Sequence, residues 1–449
     1  MTDKRIFPFM KCIVIIGCSF LLTSTGHMAW TYHLLTLTTA AATDWLTLVA
    51  GYLLQALGIA VCGWLRFRRK QDERKWLCGT PVLYLVSLLP AVLSPSLPVA
   101  AAFGLLQSLL CGVLAGGYIF FLAEFTEETR RAKAFGFGYG AATVAAWLLS
   151  LMGDGWLLRG SGVWIICIPA AALTAAAVLL RPEEIPTEEA PPSAQSLPKQ
   201  GVLLAGAVML LFSLVQNLGF FFATADIQNG LSIEFSRLFY AIGLASAGIV
   251  SDKSRKYGAV CALAALVVPF LVLTLRGEAL PVTVLWSLGY FGFGFYAVYR
   301  VLLFADISKK ENLLWLSGGG LLLGRVGDAV GAGLSVAFAG NEPVRVIAAA
   351  LLFAASVFAF FRLLAVQYAP AARAKTEREL FNEFAARHDL SAREREVLQL
   401  VLQNKRNPDI AGALFVSEST VKFHIHNLLK KTGCKTRVEL CDLYLSHKQ

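Results

Sequence analysis

Apolar residues occur in twelve runs, each close to the roughly 20 residues that a helix needs to cross a bilayer. The first six lie near 9–30, 41–64, 77–93, 98–123, 134–155 and 162–180. The second six lie near 201–223, 233–250, 259–276, 281–304, 313–337 and 343–366. The pattern therefore predicts an all-α membrane domain with two six-helix halves, residues 9–180 and 201–366.

Two polar segments interrupt the apolar runs. One lies between the two halves of the membrane domain, and the other lies between this domain and the C-terminal part of the chain. Residues 181–200 are acidic and proline-rich and lack apolar periodicity, so they predict a flexible cytoplasmic linker. Residues 367–388 contain a proline and then a short helical pattern, which predicts a partly ordered tether. Even fully extended, it would reach only about 70–80 Å at about 3.3–3.6 Å per residue. Residues 389–449 form a separate C-terminal domain in this interpretation.

The C-terminal domain begins with strong helix signals. Ser391 followed by Glu394 is a capping box, and the apolar residues behind it repeat at helical spacing. Asn404 is expected to end this helix in the left-handed conformation. A second helix is expected to start with Asn407 as its cap and Pro408 in its first turn.

A third helix follows across a tight turn. Ser417 is its expected cap, the helix is expected over Glu418 to Lys431, and Gly433 ends it. Its spacing turns Val421, Ile425 and Leu428 inward and leaves a polar, cationic outer face. Such a helix after a turn fits the DNA major groove, and the sequence therefore predicts double-stranded promoter DNA as a partner, bound by a homodimer.

This stretch resembles the LuxR-type four-helix DNA-binding domain at the end of many bacterial response regulators. The residues that fall at the family's spacing are Leu390, Ser391, Arg393, Glu394, Glu396, Val397, Leu398, Asn407, Ile410, Ala411, Leu414, Ser417, Thr420, Val421, Lys422, His424, Lys431 and Arg437. The resemblance implies that the third helix enters the major groove. A three-helix bundle without a nucleic-acid partner is the alternative interpretation.

The resemblance assigns roles to seven residues of the third helix. Lys422, Phe423 and His426 are expected to contact base edges, because they share its outer face. Phosphate contacts are expected from Ser419, Thr420, Lys430 and Lys431. The alternatives are that Phe423 packs on a neighbour and that His426 is only solvated.

Composition and charge support a membrane protein. The hydrophobic fraction is 56% and the charged fraction is 16%, which depart from soluble averages in opposite directions. The net charge is +10, but most of the cations before residue 367 lie in alternate loops between the apolar runs. By the positive-inside rule, both termini are cytoplasmic and the chain is a multi-pass protein of the cell inner membrane.

The membrane domain resembles the major facilitator superfamily. The resemblance rests on the six-plus-six pattern and on residues 248–256, GIVSDKSRK, which are similar to that family's signature loop. The equivalent loop of the first half has Phe67 where the family has an aspartate, which favours a sensor over a transporter. By resemblance, helices one, four, seven and ten line a central cavity.

Eight residues of this domain are candidates for ligand sensing. The resemblance would place Gln107, Gln216, Asn217, Tyr290, Tyr296 and Tyr299 towards a ligand. The alternative for each of them is a hydrogen bond between helices, which is the more frequent role of a single polar residue in a span. Arg325 and Asp328 lie one turn apart in the eleventh run and either neutralise each other or take part in signalling. Arg300 is expected near the cytoplasmic end, where it could extend to the interface.

The sequence contains no pattern that predicts catalysis. It has no glycine-rich phosphate loop before a helix, no nucleophile with a placed base, no metal-binding spacing of histidines and cysteines and no disulfide pattern. We therefore expect no enzyme, no cofactor and no metal. The expected function is a membrane-bound transcription regulator that senses a small molecule or a membrane signal. The alternative is a transporter with an appended regulatory DNA-binding domain.

Overall fold

The chain consists of two compact units, Met1–Ala369 and Pro370–Gln449, which we call the membrane unit and the C-terminal unit. This is the arrangement in a computed structural model of the protein. The structure describes residues 6–68, 73–151, 162–179, 199–219, 233–268, 282–310, 313–338, 340–367 and 377–448. All regular elements in these ranges are helices, as the sequence predicts.

The membrane unit contains a helix in each of the twelve predicted runs. In the first half these are α1 (Ile6–Leu37), α2 (Ala40–Asp44) continued by a π-helix (Trp45–Ala50) and α3 (Gly51–Arg68), α4 (Glu73–Leu93), α5 (Leu97–Phe125), α6 (Glu128–Ser150) and α7 (Val163–Leu179). In the second half they are α8 (Lys199–Gly219), α9 (Ile233–Lys253), α10 (Arg255–Ala265), α11 (Val282–Lys310), α12 (Gly319–Ala337) and α13 (Glu342–Gln367).

Seven helical stretches of the described residues are long and apolar enough to cross a membrane. They are Pro8–Leu37, Ala40–Phe67, Leu97–Phe125, Lys199–Leu218, Thr283–Lys309, Leu314–Ala337 and Pro343–Gln367. Two shorter apolar helices, Cys78–Leu93 and Val163–Leu179, accompany them. Most of the predicted linker, residues 181–198, and part of the predicted tether, residues 368–376, lie outside the described residues.

The two halves of the membrane unit pack together where α6 meets α9. A Cβ atom added at Gly136 on α6 would lie 2.4 Å from the carbonyl oxygen of Leu244 on α9. Added at Gly248, it would lie 2.9 Å from the carbonyl oxygen of Ala132. Lipid provides no hydrophobic force between helices, so small residues that allow close backbone packing are a main source of stability at such contacts.

In the C-terminal unit, residues 377–448 form five helices. They are α14 (Glu377–Arg387), α15 (Ala392–Leu402), α16 (Asn407–Leu414), α17 (Glu418–Thr432) and α18 (Arg437–Lys448). One apolar core joins them, and its members include Phe384, Leu398, Val421 and Leu440. Because Phe384 and Ala385 are fully buried, the helical part of the predicted tether packs in the same core as the predicted DNA-binding helices.

Candidate nucleic-acid interface

The first helix of the predicted DNA-binding motif starts at the expected capping box. The amide of Glu394 donates to Oγ of Ser391 at 3.3 Å, and the amide of Ser391 donates to Oε2 of Glu394 at 2.7 Å. Helix α15 ends at Leu402, and Asn404 has a φ of 57°, the left-handed conformation predicted for it. Reciprocal capping satisfies two backbone amides that no helical carbonyl can reach.

The second helix starts at Asn407, one residue before the predicted start, because its cap lies one residue earlier than expected. Arg406, rather than Asn407, has the extended conformation of a cap residue, and its amide donates to Oδ2 of Asp409 at 3.2 Å. An acceptor three residues into the helix can satisfy that amide, so a cap side chain at Asn407 is not required. Helix α16 ends at Phe415, whose φ is 51° and whose surface is 95% exposed.

The third helix, α17, presents the polar face that the sequence predicts. Ser417 caps it by accepting the amide of Thr420 at 3.2 Å, and Gly433 ends it with a φ of 74°. On its inner face Val421 and Leu428 are fully buried, and Ile425 is partly buried. The buried stripe leaves the opposite face of α17 to solvent.

The residues expected to contact bases lie on this exposed face. Lys422 forms an ion pair within its own helix, with Nζ 3.2 Å from Oε1 of Glu418. Phe423 is 60% exposed, so it does not fill a pocket of the domain. His426 and Lys430 are also exposed and follow Lys422 at intervals of four residues, which aligns the three side chains along the helix.

Two hydroxyl groups at the start of α17 are held together. Oγ of Ser417 lies 2.7 Å from Oγ of Ser419 and 2.8 Å from Oγ1 of Thr420. Both predicted phosphate-binding hydroxyls therefore lie beside the positive end of the helix dipole, where anions are favoured.

Lys431 differs from the other predicted contacts because it is bound within the domain. Its Nζ donates to Oε2 of Glu394 at 2.7 Å and to the carbonyl oxygen of Asp389 at 2.8 Å. Burial by itself would raise the pKa of Glu394, but hydrogen bonds from Lys431 and Ser391 outweigh it and hold the pKa below its usual value. The ammonium group thus joins α17 to the start of α15.

Two arginines brace the motif in ways that helical spacing alone did not reveal. Nη2 of Arg393 donates to the carbonyl oxygen of Leu414 at 2.8 Å and so holds the end of α16. Nη2 of Arg437 donates to the carbonyl oxygens of Lys405 and Val401 and so holds the loop after α15. Both arginines donate to backbone carbonyls at or just after the ends of helices, where intrahelical donors run out.

A second cluster of candidate residues lies in the membrane unit. Nη1 of Arg325 donates to Oδ2 of Asp328 at 3.1 Å, and Nδ2 of Asn217 donates to Oδ1 of Asp328 at 2.6 Å. Arg300 is 96% buried and also donates to Oδ2 of Asp328, at 3.0 Å, so it does not extend to the interface. It further contacts the hydroxyl of Tyr296, which is hydrogen bonded to Ser213.

The other predicted sensing residues are buried elsewhere in the unit. Tyr299 packs on Phe212 and Phe360. Tyr290 packs on Tyr240, and Gln107 lies beside Gly26 of α1. Gln216 is buried on α8. The structure therefore brings together Asn217, Tyr296, Arg325 and Asp328 and adds Arg300, whose role the sequence did not indicate.

A cavity of about 280 Å³ lies at a different place in this unit. It is bounded by the end of α3, by α5 and by residues 314–322, with Trp64, Phe67, Phe120 and Trp315 in its wall. None of the eight predicted sensing residues lines it.

The loop that resembles the signature motif forms a buried network between the halves. The carboxylate of Asp252 accepts the amides of Ala132 and Lys133, each at 2.9 Å. Arg255 donates to Oδ1 of Asp252 at 3.0 Å and to Oδ2 of Asp306 at 2.8 Å. Arg131 of the first half also pairs with Asp306. These contacts join the start of α6 to the ends of α9 and α11.

Helices α15 to α18, with a cationic helix displayed after a tight turn, define a helix-turn-helix domain. The sequence pattern of the luxR family of bacterial regulatory proteins matches residues 388–444. The spore germination protein GerE of Bacillus subtilis is 47% identical over 55 residues, which are 12% of this chain and 74% of GerE. The chain belongs to the luxR family of bacterial regulatory proteins.

Another regulator is similar over a short part of the chain. The nitrate/nitrite response regulator protein NarL of Escherichia coli K12 is 44% identical over 67 residues, which are 15% of this chain and 28% of NarL.

Among solved structures, a bacterial homolog of the human lysosomal transporter Spinster, in an inward-facing and unoccupied conformation, superposes with a TM-score of 0.48 at 14% identity. That superposition covers 83% of this chain and 96% of the homolog.

Proposed function

We propose that the chain is a membrane-bound transcription regulator. Its C-terminal unit binds double-stranded promoter DNA as a homodimer, and its membrane unit senses a small molecule or a membrane signal. Both termini lie in the cytoplasm, and the protein resides in the inner membrane. The observation that carries the proposal is the exposed row of Lys422, His426 and Lys430 on α17, in a domain of the luxR family.

Sequence recognition is assigned to the middle of α17. Lys422 and His426 can reach base edges from the face of a helix lying in the major groove, with Phe423 beside them. Ser419, Thr420 and Lys430 hold phosphates, which fixes the register of the helix. Lys431 contributes mainly by positioning α17, because its ammonium group is already bound to Glu394.

Sensing is assigned to the ionised cluster in the membrane unit. Charged side chains within membrane spans are costly and tend to persist where they have a task. Asp328 collects hydrogen bonds from α8, α11 and α12, through Asn217, Arg300 and Arg325. A ligand that altered one of these contacts would change how the three helices are held together.

The proposal is tested by mapping the DNA sites that the full chain occupies in its own cells. We expect discrete promoter sites that disappear when residues 390–449 are deleted and when Lys422 and His426 are both changed to alanine. The matched control is Lys435→Ala, which removes an exposed lysine next to α17 but not on its outer face.

Two results would contradict the proposal. Site occupancy that survives the double substitution would remove α17 from sequence recognition. Solute uptake by the purified full chain in lipid vesicles, with no promoter sites in cells, would favour the transporter.

A further inference from the structure

The ionised cluster of the membrane unit contains more positive than negative charge. Arg300 and Arg325 both donate through Nη1 to the same oxygen of Asp328, at 3.0 and 3.1 Å. The other partners of the cluster, Asn217 and Tyr296, are neutral. Within the part of the unit that the structure describes, neither arginine forms an ion pair with a second carboxylate.

Arginine does not relieve this imbalance by losing a proton. Its guanidinium stays charged in proteins, so among the described residues of this cluster two arginines and one aspartate leave one positive charge without a carboxylate partner. A buried charge without a counterion is strongly disfavoured, because the surroundings cannot replace its hydration. The imbalance indicates that a negative group completes the cluster.

Among the three charged members of the cluster, Arg325 is the one that an incoming group can reach. Its side chain is 18% exposed, whereas those of Arg300 and Asp328 are 4% and 3% exposed. The guanidinium carbon of Arg325 lies 4.7 Å from the ring centre of Tyr52 on α3. The reachable guanidinium therefore lies against an aromatic ring, between helices of the first and second halves.

We propose that the membrane unit binds a small organic carboxylate, which pairs with the guanidinium of Arg325 beside Tyr52. The inference rests on the sensing role proposed above and names the chemical class of the ligand. Planar carboxylates match the two parallel donors of a guanidinium, and the tyrosine ring offers an apolar surface for the rest of the molecule. Arg300 and Asn217 continue to hold Asp328 while Arg325 turns to the ligand.

This binding mode acts on the position of α12. A Cβ atom added at Gly324 would lie 2.4 Å from Cδ of Arg300, and one added at Gly327 would lie 2.6 Å from Cβ of Ser213. Helix α12 is therefore packed tightly on α11 and α8, and a change in the Arg325 contact is transmitted to them. A packed interface of this kind changes between discrete arrangements rather than deforming continuously.

The charge balance is tested first without any ligand. The full chain is placed in nanodiscs of zwitterionic phosphatidylcholine, which exclude anionic lipid as a source of compensation, and its thermal unfolding is measured. We expect Arg325→Gln to melt at or above the temperature of the unchanged protein, because it removes the excess charge. Asp328→Asn should melt lower, because it leaves two arginines without a counterion. A loss for Arg325→Gln as large as that for Asp328→Asn would overturn the proposal.

Ligand class is tested with matched probes. Propionate and benzoate are compared with propionamide and benzamide at equal ionic strength. At ten times its Kd, a carboxylate should raise the melting temperature of the full chain by about 1–3 °C. The shift should persist in Arg325→Lys, which keeps the charge, and vanish in Arg325→Gln. Equal shifts from a carboxylate and its amide would overturn the proposal. So would the absence of a shift from every carboxylate, because an uncompensated arginine should bind small carboxylates at millimolar concentrations.

The anion site and the regulatory role fail in different ways. If carboxylates stabilise the protein through Arg325 but leave promoter occupancy in cells unchanged, the anion site stands and the sensing role does not. If no carboxylate shifts the melting temperature but promoter occupancy still responds to its natural signal in Arg325→Gln, the anion site is wrong and the sensing role stands.

Discussion

Replacing Glu394 by alanine should destabilise the DNA-binding domain more than replacing any exposed charged residue nearby. Its side chain is only 5% exposed, and it accepts hydrogen bonds from Nζ of Lys431 and from the amide of Ser391, both at 2.7 Å. The substitution removes both contacts at once. It leaves the amide of the cap residue Ser391 without its acceptor and removes the contact that joins α15 to α17.

The size of the effect follows from these two contacts. A hydrogen bond to a charged group contributes about 1.5–3 kcal/mol, and a helix cap contributes about 0.5–2 kcal/mol. The lysine side chain is 38% exposed and can return to water, so the sum is discounted. We expect a loss of about 2–3 kcal/mol in the free energy of unfolding, which for a domain of this size lowers the melting temperature by about 10–20 °C.

The assay is thermal and denaturant unfolding of residues 370–449, followed by circular dichroism. The control is Glu396→Ala, which removes an exposed glutamate from the same helix and its ion pair with Arg393. It should cost less than about 0.5 kcal/mol. Equal losses for the two substitutions would refute the reasoning, because burial and capping would then contribute nothing.

A pH series tests the same contact through the sign of its proton linkage. The pKa of Glu394 is near 4.5 in the unfolded chain and lower in the folded domain. The unfolded chain therefore binds a proton first as pH falls. The stabilisation is complete above that pH and is lost as pH falls through the folded-state pKa. The difference in unfolding free energy between the unchanged domain and Glu394→Gln should therefore shrink below about pH 4.5. A difference that stays constant down to pH 2 would contradict the assignment.

The remaining predictions concern DNA, the joint between the halves, and topology. Lys422→Ala should weaken binding to an operator by about 1–3 kcal/mol and relax the preference at one base pair. Lys430→Ala should instead weaken binding to operator and scrambled duplexes alike, and lower the slope of log binding constant against log salt concentration by about one. Equal loss on both duplexes for Lys422→Ala, measured by binding over a salt series, would make that lysine a phosphate contact. Asp252→Asn should lower the melting temperature of the full chain in nanodiscs by several degrees, because its carboxylate, 1% exposed, holds two amides and an arginine. The neighbouring exposed Lys253→Gln is its control, and equal effects would show that the network between the halves adds no stability. A reporter enzyme fused after Gln449 should show cytoplasmic activity, and periplasmic activity there would reverse the proposed orientation.

Local sequence signals predicted most of the C-terminal domain. The capping box at Ser391, the left-handed Asn404 and the cap at Ser417 all depend on contacts within three or four residues. The cap of α16 was misplaced by one residue, because Asn407 is a common cap residue and the pairing of Arg406 with Asp409 left no residue-type signal. The roles of Lys431 and Arg437 could not be derived from spacing, because their partners are distant in sequence. Lys431 binds Glu394, 37 residues away, and Arg437 binds carbonyls 32 and 36 residues away.

For the membrane unit, the sequence by itself determined that the chain is helical, that it has twelve apolar segments and that few charges lie within them, because these properties follow from composition and length. The tertiary structure decided which of those charges meet. Arg325 and Asp328 are neighbours on one helix and were paired from spacing, but Arg300 and Asn217 reach the same carboxylate from other helices. Helix packing sets those distances, and it depends on glycines such as Gly324 and Gly327 that bring α12 close to α11 and α8. A surplus of positive charge is a property of that assembly rather than of any one segment, and so only the folded unit could reveal it.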